Sequence, residues 1–169
     1  VATLNALSHP KITHHFIPYT SGPSEVIAYH KYTVNDSNFA FVSTKSTENL
    51  SYNKINIINC WEDNSNITLG KPTEEAGKYC MMALKRAVED AKAGKIDALV
   101  TAPINKHAMK MAGFEHVGHT EYLTEALNAP ETVMTMVSED TIIGLATNHL
   151  PIRRIHEKLN KEKLIRKLK

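Results

Sequence analysis

The stretch "TEEAGKYCMMALKRAVEDAKAGK", Thr73 to Lys95, constrains the fold more than any other part of the chain. Thr73 has the hydroxyl of a helix N-cap, and Glu74 and Glu75 place negative charge where the helix dipole is positive. Ala76, Cys80, Ala83, Leu84, Ala87, Val88 and Ala91 fall on one face, and Gly94 supplies a C-terminal stop. Apolar runs flank this helix, "INIINC" before it and "IDALVTAP" after it, and both read as strands. Strand, helix and strand joined by short connections imply a right-handed parallel crossover.

The remaining segments extend that pattern. "VATLNALSHP" reads as a helix ending near Ser8, stopped by Pro10. "HHFIPYT" reads as a strand, "PSEVIAYHKYT" as a helix capped by Ser24 with Glu25 in its first turn, and "NFAFVS" as a strand. Thr44 to Lys54 is a polar loop, and "DNSN" at Asp63 to Asn66 is turn chemistry. In "VMTMVSEDTIIGLAT", two β-rich runs flank "SED" and predict a hairpin. The expected class is α/β, a mostly parallel sheet with an antiparallel hairpin and helices packed on it.

Composition narrows the function classes. The 169 residues suffice for one domain with a hydrophobic core, and shares of 42% apolar and 22% charged residues are those of globular proteins. No apolar run approaches the roughly 20 residues that span a bilayer, so no membrane association is expected. A net charge of +2 gives no argument for nucleic acid. The basic run "IRRIHEKLNKEKLIRKLK" reads as the solvated face of an amphipathic helix, because Ile155, Leu159, Leu164, Ile165 and Leu168 recur at helical spacing; a polyanion-binding tail is the alternative. Cys60 and Cys80 lack Cys-x-x-Cys spacing and read as buried free thiols of a reducing compartment. With no signal-peptide pattern in view, the glycosylation-type triplets at Asn35, Asn49 and Asn66 carry no weight, and the expected location is the cytoplasm.

Ligands of open α/β sheets bind beyond the carboxyl ends of the strands. That rule selects "TAPINK", with Thr101, Asn105 and Lys106, and "TNHLPIRR", with Thr147, Asn148 and His149. Between them "GHTEYL" opens a helix whose first N–H groups suit an anion. Each candidate has a plainer reading. Lys106 fits an ordinary first-turn surface lysine, Thr120 an N-cap, and His119 a structural histidine bonded to a carbonyl. His149 is a metal-ligand type at a strand end, with Pro151 suited to the first position of the next helix. It has no histidine partner at i+2 or i+4, and zinc-like centres need three or four ligands. His14, His15 and His30 read as structural or surface residues, Gly70 and Gly77 as carrying no signal. No Walker-type loop or G-x-G-x-x-G pattern is present.

Taken in order, "DALVTAPINK", "GHTEYL" and "ATNHLPIRR" resemble the 4-hydroxythreonine-4-phosphate dehydrogenase family of pyridoxal phosphate biosynthesis. The similarity spans nearly the whole chain, strongest between Asp97 and Arg153 and weakest between Tyr32 and Lys54. The resemblance implies a two-domain fold like that of isocitrate and isopropylmalate dehydrogenases, working as a homodimer with its site in the interdomain cleft. It implies NAD and a divalent metal, oxidation of the secondary alcohol of a phosphorylated hydroxy-amino acid, and decarboxylation of the β-keto acid formed. One imidazole does not choose between zinc, magnesium and cobalt.

By the same resemblance, His119 and Thr120 match the substrate-binding pair and His149 the first metal ligand. Lys106 matches a cleft lysine, taken here as catalytic, and Arg153 an arginine without an assigned role. The family's glycine-rich opening turn and its two later metal histidines have no counterpart in residues 1–169. These residues are therefore expected to be the N-terminal portion of such an enzyme, with the cofactor-binding portion absent and the fragment itself inactive. Two alternatives share the motifs: a sister dehydrogenase of threonate or erythronate 4-phosphate, and a non-catalytic domain that binds phosphorylated ligands.

Overall fold

The computed structural model describes residues 2–34, 39–61, 68–148 and 150–168. These form two compact units, residues 1–119 and residues 120–169. The first unit begins with helix α1 (Ala2–Leu7), closed by Ser8, whose hydroxyl donates to the Leu4 carbonyl at 2.9 Å. Pro10 does more than stop that helix. It occupies the first turn of helix α2 (Pro10–His15), where its missing N–H and fixed φ are harmless, and the His9 side chain caps the helix. His14 and His15 are consequently helical, and the strand expected over "HHFIPYT" shrinks to β1 (Tyr19–Ser21).

Helix α3 (Ser24–Val34) follows, its first N–H accepted by the Asn59 side chain at 2.8 Å. Strand β2 (Phe41–Thr44) and strand β3 (Ile55–Ile58) complete the sheet; the loop between them holds a short 3-10 turn at Thr47–Asn49. The strand order is β1-β3-β2 and both pairings are parallel, with Tyr19 opposite Asn56 and Phe41 opposite Ile55. β3 lies at the centre with all four residues buried, in keeping with its near-continuous apolar run. Leu4, Phe39 and Ile55 form a core cluster beside it, packed by Leu7, Ile27 and Phe41.

Helix α4 (Glu74–Lys92) starts and stops as its sequence dictates, with the Thr73 hydroxyl accepting the Ala76 N–H at 3.1 Å and Gly94 at φ +66° after its end. Its buried face differs from the expected one: Ala76 is exposed and Gly77 is buried. Helix α5 (Lys106–Met111) explains why, because a Cβ on Gly77 would be driven into the Ala108 carbonyl. The glycine that carried no signal is the contact point of two helices.

The strand expected over "IDALVTAP" does not form. No strand among the described residues pairs with it, and Val100 is 93% exposed. A strand is completed by its neighbour's hydrogen bonds, and an apolar run without one stays unpaired. The crossover expected from β3 through α4 into this segment is therefore not closed; the parallel sheet is built instead from β1, β2 and β3. The "DNSN" turn lies outside the described residues.

The second unit holds most of helix α6 (His119–Ala126) and then a hairpin of β4 (Thr135–Ser138) and β5 (Thr141–Gly144). The hairpin turns at Glu139–Asp140 as "SED" indicated, with Ser138 opposite Thr141. It forms its own two-stranded sheet and does not extend the parallel one, and all eight strand residues are exposed. Pro151 precedes a 3-10 turn (Ile152–Arg154) that leads into helix α7 (Ile155–Lys158) and helix α8 (Lys161–Leu168). The single amphipathic helix expected here is broken at Asn160, whose side chain accepts the Lys163 N–H and starts a new helix.

Candidate functional site

"TAPINK" places Lys106 by a local rule. The Asn105 side chain accepts the Ala108 N–H at 3.0 Å, so Asn105 is the N-cap and Lys106 the first residue of α5. Ala108 and Met109 anchor the opposite side in the core, at 3% and 1% exposure. Gly113, at φ +85°, ends the helix, and the Phe114 N–H returns to the Met109 carbonyl at 2.9 Å. This closure turns the chain back and opens a cleft of about 490 Å³ lined by Ile104, Lys106, Lys110, Phe114, His116 and Val117. Lys110 and His116 did not emerge from the motifs. Lys110 was legible as the i+4 neighbour of Lys106; His116 lies edge-on to Phe114, with ring centroids 5.3 Å apart, and had no such signal.

His119 is the first residue of α6 and half-buried; Thr120 is exposed. The helix begins one residue ahead of Thr120, which therefore stands inside the first turn and not at the cap. Its carbonyl accepts the Thr124 hydroxyl at 2.7 Å. Glu121 in the same turn matches the positive end of the helix dipole. His149 lies outside the described residues. Its neighbours Thr147, Asn148 and Leu150 line a second, smaller concavity in the second unit. Arg153 is exposed in the 3-10 turn, and Arg154 beside it pairs with Glu157 at 2.9 Å.

Among the described residues, no three His, Cys, Asp or Glu side chains gather as a metal-ligand set. The described part of the chain thus does not by itself fit a resident metal, and no dinucleotide fingerprint accompanies its strands. Cys60 and Cys80 are free and half-buried, and burial raises both thiol pKa values, so both stay protonated at neutral pH. No described helix is long and apolar enough to cross a membrane.

A third polar group is structural. The Tyr19 hydroxyl donates to Asp90 Oδ2 at 3.1 Å, and Arg86 Nε reaches the same oxygen at 2.8 Å, one helical turn away on α4. Asp90 is 4% exposed, and Arg86 also meets the Lys45 carbonyl at 3.5 Å, so the trio ties α4 to the sheet. Burial, and then the charge of Asp90, hold the Tyr19 phenol well above its ordinary pKa.

The structure superposes on that of a 4-hydroxythreonine-4-phosphate dehydrogenase from Burkholderia phymatum with a TM-score of 0.89, at 25% identity, covering 98% of this chain and 51% of that one. The corresponding enzyme structure from Klebsiella pneumoniae gives a TM-score of 0.74 at 23% identity, over 86% of this chain and 45% of that one. The α/β fold is thus one shared with dehydrogenases of this kind. In sequence, the 4-hydroxythreonine-4-phosphate dehydrogenase of Bacteroides thetaiotaomicron is 37% identical over 167 residues, 98% of this chain and 45% of that protein. A family model described as pyridoxal phosphate biosynthetic protein PdxA matches residues 15–169. The chain belongs to the PdxA family. It spans about half the length of the relatives it matches.

Proposed function

We propose that the protein to which these residues belong oxidises 4-phosphooxy-threonine, using NAD and a divalent metal, with decarboxylation of the product, in pyridoxal phosphate biosynthesis. The observation that carries this reading is the family match over residues 15–169, which includes all three motifs in order. In this reading residues 1–169 are the N-terminal portion of a two-domain enzyme of the isocitrate dehydrogenase type, located in the cytoplasm. The cofactor contacts and the remaining metal ligands lie outside this chain. NAD would accept the hydride, and zinc, magnesium or cobalt would act as Lewis acid; neither has a complete site among the described residues.

The chain's own residues bind and orient. His119 and Thr120 contact the phosphorylated substrate from the start of α6, where imidazole, hydroxyl and backbone donors all suit anionic oxygens. Lys106, on the rim of its cleft, holds a positive charge or a proton for the reacting carboxyl and hydroxyl groups. His149 is the metal ligand supplied by this half. The homodimer is supported by the hairpin, where Met136, Val137, Ile142 and Ile143 are 53% exposed or more and suit burial against another surface.

NADH production with 4-phosphooxy-threonine tests the reading. Protein extended by the downstream half should turn over, and its His149→Ala variant should fall to background. His119→Ala should lower kcat/KM by about 10- to 100-fold, the range for losing a hydrogen bond to a charged group. The 169-residue chain should show no turnover above its own His149→Ala control, and turnover above it would sink the inactive-fragment reading. A substrate panel that omits the amino group separates this activity from oxidation of threonate or erythronate 4-phosphate.

A further inference from the structure

Helix α8 is oriented against its own hydrophobic pattern. Leu164, Ile165 and Leu168 are 39%, 42% and 78% exposed, whereas Lys163 is half-buried and the Lys167 side chain is only 19% exposed. Lys163, Arg166 and Lys167 are spaced i, i+3 and i+4, so they share one face, and like charges so placed repel. On that face Lys163 and Lys167 are half-buried, while the Arg166 side chain is 57% exposed. With Lys158 this face lines a concavity of about 290 Å³ whose other wall is the chain leaving β5, at Thr147 and Asn148. The cationic face expected from sequence thus lines one side of an open concavity.

The carboxylate present there is too little to balance it. Glu131, the one acid lining the concavity among the described residues, lies 3.8 Å from Arg166 and 3.5 Å from Lys167, and Lys167 also donates to the Thr132 carbonyl at 3.1 Å. Among the described residues, neither Lys158 nor Lys163 is joined to an acid. Four cations against one carboxylate among the described residues leave an excess of three positive charges around a small, open space.

We propose that this concavity binds a small phosphate-type dianion, either inorganic phosphate or a compact phosphate monoester. The volume is at the low end for small-molecule sites and accommodates a tetrahedral dianion. The Arg166 guanidinium offers a planar fork for two oxygens and Lys158 and Lys163 offer point charges. The Thr147 hydroxyl and Asn148 amide supply neutral donors, and Leu150 gives an ester's carbon a surface to touch. The site uses residues of the second unit alone and does not depend on the dehydrogenase reading.

Phosphate titration of the ¹⁵N-labelled chain at constant ionic strength, followed by two-dimensional NMR, tests this. Inorganic phosphate should shift the amides of Thr147, Asn148 and Lys163 along a saturating curve, and methyl phosphate should bind more tightly if an ester is the ligand. Lys163→Gln with Arg166→Gln should weaken binding by about tenfold or more, whereas Lys163→Arg should retain it. Lys85→Gln with Lys92→Gln, which removes equal charge from α4, should leave it unchanged. Linear shifts equal to those given by chloride would overturn the proposal, as would saturable binding that survives Lys163→Gln with Arg166→Gln. If that pair loses the dispersed spectrum of the fold, Lys158→Gln decides instead, by weakening phosphate or failing to.

Discussion

Strand β3 and the β4–β5 hairpin are made of similar residues and end in opposite surroundings. "INII" is buried at all four positions, whereas "TMVS" and "TIIG" are exposed at all eight. Apolar composition makes each a strand; what buries it is a second layer. β3 has a parallel neighbour on each side and lies within the core of its unit. The hairpin satisfies half of each strand's backbone groups through its partner and leaves its apolar side chains on the surface. Period and propensity thus predict an element, but only contacts predict its contribution to stability.

The largest expected effect lies in the buried strand. Ile57→Ala, at 0% exposure, should cost about 2–5 kcal/mol by urea denaturation, since the lost methylenes leave a cavity. A cost near zero would mean that β3 is not the centre of its unit. Gly77→Ala should follow at about 1–3 kcal/mol, because its methyl group must part α4 from α5 at the Ala108 carbonyl. A neutral or stabilising result, as expected at an open helical position, would refute the close approach.

Alkaline titration acts on the same unit. Burial raises the pKa of Cys60 above its ordinary 9.0 and that of Tyr19 above its ordinary 10.0. The unfolded chain then releases these protons before the folded one does. The stability is complete below pH 9 and falls as pH rises through 9 to 11 and beyond. The urea midpoint should drop over that window, and Tyr19→Phe should flatten the part above pH 10; a midpoint independent of pH there would contradict the buried phenol. The smallest effect belongs to the hairpin. Ile142→Ala, at 74% exposure, should shift stability by no more than about 0.5 kcal/mol in this chain. A cost like that of Ile57→Ala would erase the contrast and show that another surface already covers the hairpin in solution.

The legible parts of the fold were those whose causes are local. Thr73, Glu74, Glu75 and Gly94 delimit α4, and "SED" sets the hairpin turn. Pro10 was legible as a boundary but not as a beginning, since the same fixed φ serves both ends. "IDALVTAP" failed because a strand needs a neighbour, which its own residues do not encode. The orientation of α8 failed similarly: its apolar stripe predicted an inward face, and Lys163 and Lys167 took it. In the candidate site, the Asn105 cap fixes the start of α5 and hence the position of Lys106. The roles of His119, Thr120 and His149 came from the order of three motifs, because an imidazole at an element's end serves a cap, a carbonyl or a ligand equally well.

Asn56 is the polar exception in β3, fully buried, and its side chain is saturated. Its oxygen accepts the Ser51 N–H at 2.8 Å, and its amide nitrogen meets the carbonyls of Pro18, Ser51 and Lys54, each at 3.1 Å. A strand that is apolar on both sides has no hydrophobic reason to prefer one alignment over the next, since sliding by one residue exchanges like for like. Asn56 breaks that degeneracy. Displaced by one position, its amide would leave all of these partners and lie dry and unmatched, so a single side chain acts as the index mark by which the sheet finds its alignment.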